Sequence, residues 1–88
     1  DDVIRFDHAG LTYAVYRTAD DRYFASDGMC THEQVHLADG FVMDATIECP
    51  KHNGRFDIRT GEALSAPACV NLRVYSVKVE AGSVMICL

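Results

Sequence analysis

Two short motifs in this sequence bring together residue types that bind metals. Cys30-Thr31-His32 and Cys49-Pro50-Lys51-His52 each offer one thiol and one imidazole, as C-x-H and C-x2-H, with sixteen residues between them. Thiolate is a soft donor suited to zinc or to an iron–sulfur core, and imidazole serves both zinc and iron. Because each motif carries one donor of each kind, the pair suits a centre in which one metal takes both sulfurs, from Cys30 and Cys49, and a second takes both nitrogens, from His32 and His52. A structural zinc site also uses two cysteines and two histidines. Zinc modules commonly pair cysteines in one knuckle and histidines in another, so the order found here favours iron and sulfur. A colourless sample with one zinc per chain would reverse that reading.

The remaining candidates are weaker. Four cysteines in a short chain also allow two disulfides, but two of them sit at ligand spacing from histidines and nothing signals secretion. Cys69 and Cys87 read as small buried hydrophobes. His8 reads as a solvated turn residue. His36 lies four residues past His32 and reads as a surface-loop histidine rather than a fifth ligand.

Both motifs have to be delivered by loops, and the rest of the chain reads as the strands that carry them. Val3–Phe6 and Leu11–Tyr16, rich in β-branched and aromatic residues, flank the turn cluster Asp7–Gly10 and predict a hairpin. Asp20–Arg22 makes a polar turn before a third strand at Tyr23–Ala25, which leads through Asp27-Gly28 into the first motif. Between the motifs, Leu37–Gly40 is a turn, and Phe41–Met43 and Thr46–Glu48 form a hairpin about Asp44-Ala45 whose second strand runs into Cys49. Arg55–Ile58 alternates polar and apolar, Arg59–Glu62 is a turn with Gly61 where positive φ is wanted, and Ala63–Ser65 returns. After a turn around Pro67, Val70–Glu80 has an imperfect period of two, and Ala81–Ser83 joins it to Val84–Leu88. No helix of ordinary length is expected. Short strands at this spacing predict an all-β sandwich or open barrel with the metal loops at one end.

Eighty-eight residues read as one domain, 1–88, since so short a chain rarely holds two cores. Thirteen acidic against eight basic residues give a formal charge of −5, which argues against nucleic acid as a partner and for a basic protein surface. There is no apolar run of about 18 residues to span a membrane and no leader pattern, so the expectation is a soluble, cytoplasmic protein. The first residue is Asp1 rather than Met, which leaves room for a short preceding segment, such as an edge strand. Metal binding by ligands from two distant loops adds its free energy to folding, so the apo form is expected to be less stable around those loops.

A [2Fe–2S] centre in which two histidines replace two cysteines on one iron is the Rieske type. With Thr31 between Cys30 and His32, Pro50 after Cys49 and Gly54 two residues after His52, the chain resembles Rieske proteins, above all the small ferredoxins of multicomponent bacterial oxygenases. The run Cys49–Asp57, followed by Arg59-Thr60-Gly61-Glu62-Ala63, is similar to the rhizopine-catabolism ferredoxins. The likeness covers the chain from the first hairpin onward. It implies a Rieske fold of three antiparallel sheets, with a small cluster-binding subdomain at about residues 28–56 made from the two loops. It also implies a Rieske [2Fe–2S] cluster held by Cys30 and Cys49 on one iron and His32 and His52 on the other. The role implied is that of a monomeric one-electron carrier between an NAD(P)H-dependent flavoprotein reductase and a terminal oxygenase, met in transient, electrostatic encounters.

Respiratory and photosynthetic Rieske proteins carry an extra cysteine in each loop, but Gln34 and Lys51 stand at the matching positions here, so no loop disulfide is expected. Gly54 and Phe56 stand where those proteins place a serine and a tyrosine hydroxyl near the cluster sulfurs. Fewer hydrogen bonds to sulfur stabilise the reduced cluster less, which predicts a potential near the low end of the Rieske range, about −150 mV. Lys51 and Arg55 bracket His52, either as charges that favour the reduced state or an acidic partner, or as solvated loop residues. From Gly28 to Asp44 there is no basic residue, while Glu33, Asp39 and Asp44 are acidic, a surface suited to docking by charge.

Catalysis is not expected, and no catalytic residue is assigned. An oxygenase needs a further iron held by two histidines and a carboxylate, and only His8 and His36 remain, one in the first hairpin and one in a ligand loop. The alternatives to a carrier are a Rieske redox sensor or a domain detached from a larger oxidoreductase.

Overall fold

A computed structural model describes residues 1–31, 34–51, 53–66, 68 and 70–88. Among these residues nine strands run in the order β1 (Asp2–His8), β2 (Leu11–Arg17), β3 (Tyr23–Asp27), β4 (Phe41–Met43), β5 (Thr46–Glu48), β6 (Arg55–Asp57), β7 (Ala63–Ser65), β8 (Val74–Glu80) and β9 (Ser83–Cys87), with a 3₁₀ turn at Leu37–Asp39 before β4. All nine stand where alternation and turn residues predicted strands. Three hairpins close through two-residue loops whose residues both have positive φ: Ala9-Gly10, Asp44-Ala45 and Ala81-Gly82. That backbone matches the right-handed twist of the flanking strands. His8 is the last residue of β1 rather than part of the turn, because the tight loop needs only Ala9 and Gly10; its exposed ring stacks on Phe6 at 6.1 Å.

The strands form two antiparallel sheets, five-stranded β1-β2-β3-β8-β9 and four-stranded β4-β5-β6-β7. Three sheets were expected. The difference lies in β8, which pairs with β3 at Ala25↔Tyr75 and Ser26↔Val74, then with β9 from Ser76 to Glu80. One strand bending from one partner to the other joins the β1-β2-β3 meander and the β8-β9 hairpin into a single curled sheet.

Alternation decides what is buried. In β2, Ala14 and Tyr16 face a core shared with Leu37, Ile47, Phe56 and Ile58, all at most 1% exposed. The buried Tyr16 hydroxyl and Ser26 Oγ share a hydrogen bond of 2.8 Å, worth about 1 kcal/mol net and costly to break on one side only. Cys30 and Cys49 belong to the same buried cluster, so both sheets close on the two thiols. Cys87, expected to be buried, is exposed near the end of β9, the edge strand of the five-stranded sheet. Cys69 lies outside the described residues. Among the described residues no helix is long and apolar enough to cross a membrane.

Candidate metal centre

The first loop leaves the end of β3, and backbone pairing holds its base. Gly28 N–H donates to Thr12 O at 3.0 Å, Leu37 N–H to Gly28 O at 2.8 Å, and Met29 bridges His36 in antiparallel fashion. Inside that base, Cys30 N–H donates to Val35 O at 3.0 Å. The second loop joins β5 to β6, and there Cys49 N–H donates to Gly54 O at 2.7 Å. In both loops, then, the cysteine amide reaches the carbonyl five residues on, which folds each loop around its own thiol. Cys30 is 6% exposed and Cys49 1%. Positive φ in the second loop falls on Asn53, at 60°, a residue type that tolerates it.

Asp27 fixes the strand end from which the first loop departs. Its amide donates to Arg73 O at 2.9 Å, and its carboxylate accepts the Tyr75 hydroxyl. Loss of solvent around the ring, reinforced by the neighbouring Asp27 carboxylate, pushes the Tyr75 pKa up to about 12, so this hydroxyl stays a donor. Tyr13 packs edge-on against Tyr75 at 5.3 Å between ring centroids.

Of the four residues the sequence marked as ligands, Cys30 and Cys49 stand in matched loops and in one core cluster. His32 and His52 lie outside the described residues, as does Glu33. Lys51 is exposed. Arg55 pairs with Glu48 across β5 and β6 at 3.3 Å, so part of the positive charge beside the second loop is met within the sheet. That pair is more than half exposed at the arginine and worth at most about 1 kcal/mol.

Two residues proved more deeply involved than sequence alone indicated. His36 is not a surface-loop histidine but buried, 6% exposed, with both ring nitrogens engaged: Nδ1 accepts from Ala38 N–H at 3.0 Å and Nε2 lies 2.8 Å from Thr12 Oγ1. The reason is its partner, since Thr12 is 24 positions away and no local pattern announces it. Burial, with Arg5 nearby, lowers its pKa. Thr31, between two predicted ligands, donates from Oγ1 to Val70 O at 2.7 Å and ties the first loop to the segment before β8. Its only sequence signal is its place between Cys30 and His32.

Cys30 and Cys49 thus offer two buried soft donors from separate loops, which fits an iron–sulfur core. A match to the Rieske [2Fe-2S] domain family covers residues 1–76. The chain is 44% identical over 85 residues to the ferredoxin component of the naphthalene 1,2-dioxygenase system of Pseudomonas aeruginosa, across 97% of this chain and 81% of that protein. Among solved structures, the ferredoxin-like match in the complex of reduced oxygenase and oxidized ferredoxin of carbazole 1,9a-dioxygenase superposes with a TM-score of 0.93 at 36% identity, covering 98% of this chain and 88% of that one. The Sphingomonas yanoikuyae B1 ferredoxin gives 0.90 at 36% identity, over 97% and 83%.

Proposed function

We propose that this chain, which belongs to the Rieske [2Fe–2S] domain family, draws electrons from an NAD(P)H-dependent flavoprotein reductase and delivers them one at a time to a terminal oxygenase. It is an electron-transfer component of an oxygenase system, not itself the catalyst. The observation that carries the reading is the pair of matched loops, each folded around a buried cysteine by a bond from its own amide to the carbonyl five residues on. Cys30 and Cys49 hold one iron through their thiolates, and His32 and His52 hold the other through imidazole. When bound, the cluster supplies a one-electron couple. The chain contributes the rest: two thiols kept from water and loops anchored to both sheets.

On this reading residues 1–88 form one Rieske domain, residues 28–56 its cluster-binding part, and the protein works as a monomer in the cytoplasm. Its partners meet it transiently through charge, as suits a protein of net charge −5. The likeness to the rhizopine-catabolism ferredoxins in the run Cys49–Ala63 supports placement within that subgroup. The test is reduction of the purified protein by NAD(P)H with a catalytic amount of the reductase, then reoxidation on mixing with the oxygenase and its substrate. A protein that is reduced but changes its affinity for a partner instead of passing the electron on would be a sensor.

A further inference from the structure

We infer that His36 is the positioning residue of the first ligand loop, locking it to β2 through Thr12 and to the 3₁₀ turn through Ala38. The geometry settles its tautomer. Nδ1 accepts from Ala38 N–H at 3.0 Å, so it carries no proton, and Nε2–H therefore donates to Thr12 Oγ1 at 2.8 Å. Thr12 stands opposite Asp7 across β1 and β2, and the Asp7 carboxylate accepts from Arg5 Nε at 3.1 Å.

The ring sits where it controls the loop. His36 bridges Met29, the residue before Cys30, and its neighbours close the base through Cys30 N–H to Val35 O and Leu37 N–H to Gly28 O. Gly28 is glycine because of it: a Cβ there would stand 2.5 Å from His36 Nε2. A buried ring with both nitrogens satisfied has little freedom to move, and the loop that leans on it inherits that restraint. Loss of the Thr12 hydroxyl leaves Nε2–H buried without an acceptor, which favours opening of the loop base.

This rests on Cys30 being a ligand. The experiment uses holoprotein with Thr12→Val, Thr12→Ser, His36→Asn and the double variant Thr12→Val/His36→Asn. Asparagine retains an N-cap acceptor for Ala38 N–H but does not reach Thr12. Two readouts are taken, hydrogen exchange of the peptide spanning residues 28–38 and the reduced-state EPR spectrum. In Thr12→Val and His36→Asn the peptide exchanges roughly ten-fold faster and the spectrum shifts; Thr12→Ser restores both, and the double variant is no worse than either single one. Wild-type exchange and spectrum in Thr12→Val, no rescue by serine, or additive effects in the double variant would overturn the positioning role. A wild-type protein with no iron–sulfur spectrum would instead sink the ligand assignment.

Discussion

Gly54 and Phe56 follow His52 at two positions from which no side chain can donate a hydrogen bond, and Phe56 is fully buried. Hydrogen bonds to cluster sulfur stabilise the reduced, more negative state, so a side chain without a donor at these two positions favours a lower potential. Phe56→Tyr is therefore expected to raise the midpoint of the holoprotein in a spectroelectrochemical titration; an unchanged or lower value would count against this effect of Phe56. His36 gives a second prediction at this scale. Burial disfavours its charged form, and Arg5 adds to that, while Asp39 and Asp7 oppose it, leaving its folded pKa below the ordinary 6.5. The unfolded chain then binds the proton more readily. His36 contributes stability that is fully present above about 6.5 and is lost as pH falls through that value. Urea midpoints at pH about 7.5 and about 5.5 should diverge more for wild type than for His36→Gln; equal divergence would remove His36 from the acid response.

The turn between β6 and β7 shows how a short element holds a distant segment. Asp57 accepts from Arg59 N–H at 2.8 Å and pairs with the Arg59 guanidinium at 3.0 Å, while Gly61, at φ 81°, accepts from Leu72 N–H at 2.7 Å. A side chain at Gly61 would meet the Leu72 carbonyl as well as strained backbone. Gly61→Ala should therefore cost at least about 2 kcal/mol by urea denaturation, and a loss of only a few tenths would contradict the packing described. This turn was legible in the sequence, as were all nine strands, because alternation and paired turn residues are local signals. What could not be read locally involves partners far apart in the chain. The two-pair contact of β3 with β8 spans about fifty residues, and it merges the expected three sheets into two. Thr12 buries His36 from 24 positions away, and Cys87 is exposed on a strand that ends up at a sheet edge. The thiol half of the site was legible as spacing, and the structure adds the common amide-to-carbonyl closure of the two loops.

At the scale of the whole molecule, the two sheets of a small acidic β-protein close on two thiols. Net charge of −5 makes encounter with a partner sensitive to screening, so raising ionic strength should slow reduction by the reductase, as read by stopped-flow absorbance. No salt effect would exclude docking by charge. Cluster removal should leave the five-stranded sheet folded while the region 28–56 loses hydrogen-exchange protection, because only there do ligand bonds contribute to folding. The central claim is that the paired loops hold a Rieske cluster that carries single electrons. A redox titration of the purified chain followed by EPR, with iron and sulfide analysis of the same sample, tests it most directly. A one-electron couple at about −150 mV from a [2Fe–2S] centre is the expected result. A colourless protein with one zinc per chain would contradict the cluster itself, and a midpoint above about +100 mV would contradict the low potential expected from Gly54 and Phe56.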